Sequence, residues 1–175
     1  MKKIITLAAL ALFTWSGVQA QTIHTETSKV TFEISNMGVR TVEGSFHNMT
    51  GTVNFDPNNL AESSMEACIE AATVNTDNED RDAHLRNEDF FHTDKYPTIC
   101  IKSKSVSKNG SGYTMVATLS MHGVTKEVTI PFTMKGNTYT GTFTVNRLDY
   151  KVGEDTNTFM VGDEVEITIK SDVEL

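Results

Sequence analysis

The chain is poor in several residue types, and each shortage excludes something. Of its 175 residues, two are cysteines, three are prolines and one is tryptophan. Lys and Arg number 15 against 23 Asp and Glu, a formal net charge of −8. That balance argues against a nucleic-acid partner, because phosphates demand a basic surface. Stable docking on anionic lipid headgroups is disfavoured for the same reason. The two cysteines form no CxxC, so no zinc or redox motif is present. There is no HExxH, no Gly-x-Ser-x-Gly elbow and no Gly-rich phosphate loop, which removes the common hydrolytic and nucleotide-dependent enzymes and any motif for a cofactor. Among the five histidines, His84 and His92 with nearby Asp82 match no standard metal-ligand spacing. Repeats, low-complexity tracts and linkers are also missing, so one domain is expected.

The longest apolar run, Ile4 to Trp15, is 12 residues, well short of the ~20 that a spanning helix needs. Lys2 and Lys3 precede it and Val18-Gln19-Ala20 follows, the order of a secretory leader: positive start, apolar middle, small-residue cleavage site. No cysteine follows the cut to carry a lipid. Residues 1–20 are therefore expected to be a signal peptide and residues 21–175 the mature domain, periplasmic or secreted, with no stable membrane anchor. Loss of the leader's two lysines takes the net charge from −8 to −10, a value that favours solubility. The remaining 155 residues suffice for a single domain with a substantial core.

What is present is strand periodicity. Val30, Phe32 and Ile34 alternate with Thr31, Glu33 and Ser35, the pattern of a half-buried strand. A second extended region ends at Val53-Asn54-Phe55 before the turn Asp56-Pro57-Asn58-Asn59, and a third covers Met65 to Val74. Ile99–Ser107 and Tyr113–Met121 flank Asn109-Gly110, a strong hairpin signal, and Tyr113, Met115, Ala117, Leu119 and Met121 share one face. Further strands run over Val124–Met134, Tyr139–Val145 and Glu164–Val173. The interruption is Asn78–Phe91, rich in helix formers, where Asp77 or Asn78 can cap the start, Asp82 and Arg86 can pair across one turn, and Tyr96-Pro97 stops the helix. Eight antiparallel strands hide their edges best by closing into a barrel. The same alternation also fits a two-sheet sandwich.

Specific residues favour the barrel. The run from Asn75-Thr76-Asp77 through Arg81-Asp82-Ala83-His84-Leu85 to Asp89-Phe90-Phe91 resembles a signature of the YceI-like family. So do Lys95-Tyr96-Pro97-Thr98-Ile99, Leu119-Ser120-Met121-His122-Gly123-Val124-Thr125-Lys126, Asn146-Arg147-Leu148-Asp149-Tyr150 and Val161-Gly162-Asp163-Glu164-Val165. Gly44-Ser45-Phe46 and Phe55-Asp56-Pro57 fit as well. These matches occur in order over nearly the whole mature chain. One departure is Lys151, where that family often carries glycine, and it bears on the shape of the 147–162 loop. The resemblance implies an all-β, eight-stranded antiparallel, lipocalin-like barrel with one short helical insertion at about 78–91. It also implies a lengthwise apolar tunnel for a polyisoprenoid, a quinone, or a fatty acid or amide.

A hydrocarbon tail needs a dry lumen, where each buried methylene contributes about 0.8 kcal/mol. The inward candidates are Phe32, Ile34, Phe46, Met65, Ile69, Ile99, Ile101, Met115, Leu119, Ile130, Phe132, Phe143 and Ile167; the same stripe would also serve a solid core, the interior of an interaction or stress-related module. Arg81, Asp82, His84, Arg147 and Asp149 are the candidate polar mouth. Either arginine could hold a phosphate or carboxylate with its planar fork of donors, whereas an Arg147–Asp149 pair would instead lock a loop. Cys68 and Cys100 lie on strands that bracket the insertion, with Glu66, Glu70, Thr98 and Lys102 beside them on the same faces. If the two cysteines are directly opposed, an outward-facing disulfide would close the 69–99 loop. A mouth rimmed with apolar residues would also allow a homodimer.

Overall fold

A computed structural model describes residues 20–174; the expected leader, apart from its last residue Ala20, lies outside the described residues. Ten strands follow in chain order: β1 (Gln21–Ile23), β2 (Lys29–Asn36), β3 (Arg40–Phe46), β4 (Thr50–Asn54), β5 (Ser64–Glu70), β6 (Thr98–Asn109), β7 (Gly112–Met121), β8 (Val124–Lys135), β9 (Thr138–Asn146) and β10 (Val161–Glu174). One α-helix, α1 (Glu79–Arg86), sits between β5 and β6.

Ten strands make eight staves, because two staves are broken. The long β10 pairs with β2 through Val161–Lys170 and with β1 through Val173 and Glu174. Likewise β3 pairs with β2 while β4 pairs with β1. The first break is a turn in which Ser28 N–H returns to the His24 carbonyl (3.1 Å). The second carries Asn48 in the left-handed region, φ 55°. From β4 through β10 each strand pairs antiparallel with the next, and the β1–β10 contact closes the ring.

Closure is incomplete at one end, and this positions the site. β5 pairs with β4 along Thr50–Asn54, whereas β3 meets the following chain only at the Ser45–Asn75 bridge, with backbone hydrogen bonds of 2.8 and 3.0 Å. The segment between β5 and β6 covers that gap. Its helix is shorter than the sequence pattern predicts, ending at Arg86 rather than Phe91; residues 87–97 continue as turns. Of the two candidate caps it is Asn78 whose side chain accepts from Arg81 N–H (2.9 Å). The expected strand Met65–Val74 also stops early, at Glu70, in a short 3₁₀ turn.

The other end is plugged. Phe55 packs edge-on against Tyr113 (4.9 Å), Phe132 (5.9 Å) and Tyr139 (5.7 Å), and Tyr113 stacks on Phe132 (5.4 Å). Each such pair contributes ~0.5–1.5 kcal/mol beyond its area burial. The outer face carries ion pairs such as Lys102–Glu66 (3.1 Å) and Lys104–Glu127 (2.6 Å). Water, not hydrocarbon, solvates such a face.

Cys68 stands directly opposite Cys100 in the β5–β6 ladder, and the two are joined by a disulfide. Their neighbours Ala67, Ile69, Ile99 and Ile101 face the interior, so strand alternation puts the bridge on the outside. It closes a 32-residue separation that contains the whole covering segment. In the loop-entropy model that stabilises by about 3–4 kcal/mol. Replacing both cysteines with serine should lower the melting temperature by roughly 10 °C; an unchanged melt would show that the covering segment holds itself in place.

Candidate functional site

Above the aromatic plug lies a cavity of about 370 Å³, near the lower end of ligand pockets. Twenty-three of its 29 lining residues are apolar. Strand alternation accounts for the wall: Phe32 and Ile34 from β2, Ile99 and Ile101 from β6, Leu119 from β7, Phe143 from β9 and Ile167 from β10 all point in. Phe32 lies across Gly44, its partner in the β2–β3 ladder, where a Cβ would occupy the place of the ring. Phe46 then packs against Phe32 (5.5 Å) and edge-on against Phe91 (5.3 Å).

Nine of the thirteen apolar candidates line this chamber: Phe32, Ile34, Phe46, Ile69, Ile99, Ile101, Leu119, Phe143 and Ile167. The other four, Met65, Met115, Ile130 and Phe132, do not. They surround a satellite cavity of about 50 Å³ next to the plug. Ala67, Ile101 and Ile169 border both spaces. The expected lengthwise tunnel is therefore a chamber with a blind end, because the rings of Phe55, Tyr113, Phe132 and Tyr139 crowd the far end of the barrel.

Several lining residues escape the strand pattern. Leu85, Phe90 and Phe91 come from the covering segment, where they are the large apolar side chains in a stretch that otherwise reads as polar. That contrast is the available signal. Met49, Val152 and Met160 come from loops and leave no periodic trace.

The five polar candidates separate sharply. Arg81, His84 and Arg147 line the chamber; Asp82 and Asp149 do not. Asp82 is buried, and its carboxylate accepts from the N–H (2.9 Å) and hydroxyl (2.5 Å) of Thr76. The expected Asp82–Arg86 pair is not formed. Arg86 donates instead to the carbonyls of Ala72 (2.8 Å) and Val74 (3.0 Å), satisfying backbone groups where the 3₁₀ turn leaves them without partners. Asp149 is paired with Lys126 on the outside (2.7 Å), not with Arg147.

Arg147 is 3% exposed and donates only to backbone carbonyls. Nε reaches Gly162 (2.8 Å), Nη1 reaches Val152 and Gly153, and Nη2 reaches Thr156 (3.1 Å) and Val161 (3.0 Å). Five donors meet five acceptors, so the guanidinium has none left for a headgroup. Burial pushes its pKa down from the usual arginine value, and the neighbouring Asp163 carboxylate partly restores it. Its structural work is to fold the 147–162 loop over the mouth. Lys151, which stands where the family often carries glycine, takes the left-handed conformation itself (φ 60°), with its N–H donated to the Leu148 carbonyl (3.0 Å).

Arg81 is different. Its Nε donates to the Thr76 hydroxyl and Nη2 to the Thr76 carbonyl, both at 2.7 Å. Among the described residues Nη1 makes no hydrogen bond, and the half-buried guanidinium borders the chamber. His84 sits edge-on to Phe90 (5.0 Å) and 3.8 Å from the Asp89 carboxylate. His92, which sequence spacing kept away from any metal motif, lies on the outer surface beside Tyr96 and His122. There Tyr96 covers Gly123, whose Cβ would meet the ring at 2.7 Å. The Lys95-Tyr96-Pro97 and His122-Gly123 motifs thus pack on each other, away from the chamber.

Comparison with known proteins places this geometry in a family. A UPF0312 protein of Yersinia enterocolitica is 36% identical over 107 residues, which cover 61% of this chain and 56% of that protein. The chain thus spans little more than half the length of the curated relatives it matches. Among solved structures, Burkholderia cenocepacia BcnA superimposes with a TM-score of 0.80 at 26% identity, covering 87% of this chain and 99% of that one. A Campylobacter jejuni YCEI protein gives 0.70 at 28% identity, covering 78% and 87%. A polyisoprenoid binding domain from Saccharophagus degradans, implicated in plant cell wall breakdown, gives 0.66 at 16% identity, covering 88% and 97%, and shares the fold. The family model for the YceI-like domain matches residues 21–173, the span that contains the barrel, its covering segment and the chamber, and the chain belongs to the YceI-like family.

Proposed function

We propose that this protein binds one long-chain apolar molecule in the chamber, as a carrier or scavenger in the cell envelope, and does not transform it. A polyisoprenoid, a quinone, or a fatty acid or amide fits the chemistry. The observation that carries the proposal is the chamber: about 370 Å³ of space walled by 23 apolar residues inside a closed barrel. A cavity of ~150 Å³ lined by apolar side chains already takes up benzene. Ten methylenes buried there would supply ~8 kcal/mol gross, before association and chain-ordering costs. A solid-core module would not leave such a space among close-packed side chains. The Saccharophagus domain of the same fold, described as polyisoprenoid binding, is in keeping with a lipid ligand.

Within this reading, residues 1–20 direct export and are removed after Ala20, so N-terminal sequencing of the exported protein should begin at Gln21. Organic extraction of gently purified protein, followed by mass spectrometry, should recover one long-chain species in near-stoichiometric amount. An extract without one, together with no uptake of a fluorescent fatty acid, would defeat the carrier.

Arg81 is the proposed headgroup anchor, since it borders the chamber and its Nη1 makes no hydrogen bond to the described residues while Nε and Nη2 are held by Thr76. Arg81→Gln should weaken a carboxylate-headed ligand by about tenfold, the worth of one charge-assisted hydrogen bond. The matching alcohol should bind nearly as before. Isothermal titration with the two ligands checks this, and equal losses for both would remove Arg81 from the headgroup site.

A further inference from the structure

Two tips stand at the open end of the barrel. One is the β2–β3 turn, where Met37 is 47% and Val39 86% exposed; the other is the loop before β10, where Phe159 is 66% and Met160 47% exposed. They are tied together: Met37 N–H donates to the Met160 carbonyl (3.1 Å), and Asn36 faces Val161 in the β2–β10 ladder. These four side chains make up most of the large apolar residues exposed among the described residues, and they gather at one place. Contiguous exposed apolar groups of this kind mark an interaction site.

We propose that this rim docks transiently on the surface of a lipid bilayer with zwitterionic headgroups. Three observations favour a bilayer. The rim is continuous with the chamber, because Met160 both lines the cavity and stands exposed, so an acyl chain can pass between them without crossing water. Second, the stretches Asn36–Val42 and Thr156–Gly162 contain no Asp or Glu, in a chain that has 23, and one cation, Arg40. Carboxylates resume directly outside them, at Glu43, Asp155 and Asp163. The tips can therefore enter the headgroup layer with little charge to desolvate, Arg40 meeting lipid phosphates, while the acidic body is held off and contact stays brief. Third, four exposed side chains fall well short of the ~20–30 residues per side of a stable dimer, and a dimer here would seal the mouth. The docking rests on the ligand reading only for its purpose, as the route by which an insoluble ligand is collected or delivered.

The test exploits a gap in composition. The chain's single tryptophan is Trp15, so the 21–175 chain, which contains all ten strands, has none. In that chain Phe159→Trp introduces a sole reporter, whose emission should move to shorter wavelength on titration with phosphatidylcholine vesicles. The parent should co-float with the vesicles, and the Val39→Ser, Phe159→Ser double variant should do so at least about tenfold less. Transfer of a fluorescent fatty acid from vesicles should speed up with vesicle concentration for the parent, but not for the double variant. Uptake of the same probe at equilibrium, without vesicles, should be equal in the two, which also shows the variant to be folded. Unchanged Trp emission, or equal flotation of parent and double variant, overturns the docking. A parent that is dimeric and a double variant that is monomeric overturn it in favour of a self-interface. Failure of the parent to take up probe at equilibrium would instead strike the ligand reading, with the docking still judged by flotation.

Discussion

Replacing Ala67 with phenylalanine will cut the affinity for a hydrocarbon ligand by about a hundredfold while leaving the barrel folded. Ala67 lies on β5 where the main chamber meets the satellite cavity, and it borders both. A ring placed there takes up the room of roughly four methylenes, each worth about 0.8 kcal/mol. The protein gains rather than loses apolar contact, because internal space costs stability, on the order of 24 cal/mol per Å³. Ala67→Leu, with a smaller side chain, should fall between, at about tenfold. Titration with a fluorescent fatty acid measures the affinities, and thermal melts check the fold. Affinities within twofold of the parent for both variants would mean that the ligand lies somewhere other than this chamber.

Arg147→Met should have the largest effect on stability. Removing the guanidinium leaves the carbonyls of Val152, Gly153, Thr156, Val161 and Gly162 without their donor. At about 1 kcal/mol for each hydrogen bond, the loss is about 5 kcal/mol, and the melting temperature should fall by about 10–20 °C. Affinity should drop as well, equally for charged and neutral ligands, because the 147–162 loop supplies one wall of the mouth through Val152, Thr156 and Met160. The contrast with Arg81→Gln is the informative part: that change should spare the melt and discriminate between headgroups. If Arg147→Met instead left the melt untouched and acted only on acidic ligands, the roles of the two arginines would have to be exchanged.

Together these results would separate what builds the mouth from what reads the ligand. The covering segment is held by the disulfide at its base, by Arg86 on the carbonyls of Ala72 and Val74, and by Asp82 on Thr76. Arg147 does the same for the opposite side of the opening. Asp82, Arg86 and Arg147, three charged residues within the family's recognisable motifs, thus serve backbone geometry. Arg81 lies in one of those motifs, and among the described residues its Nη1 makes no hydrogen bond.

The period-two patterns of β2, β7, β9 and β10 identified those strands and the inward residues Phe32, Ile34, Leu119, Phe143 and Ile167 of the chamber wall, because the face a strand residue takes is set by alternation alone, whereas the barrel rather than a sandwich rested on the family motifs. The hairpin at Asn109-Gly110 was legible because a two-residue turn is a local constraint, whereas the pairing of Cys68 and Cys100, 32 residues apart, was open until the β5–β6 register placed them opposite each other. Sequence could not tell which inward residues border space and which fill it. Met115 and Leu119 share a face of β7, yet one lies by the plug and the other in the chamber, since packing density depends on what the other strands bring to the same level. Nor could it assign the charged residues. Asp82 and Arg86 are one turn apart on α1 but each binds the preceding backbone, at Thr76 and at Ala72 and Val74, rather than the other, and Arg147 ignores Asp149 two residues away for carbonyls up to 15 residues distant. Local spacing offers each charge a nearby partner, whereas burial compels it to satisfy whichever polar groups the fold has already removed from water.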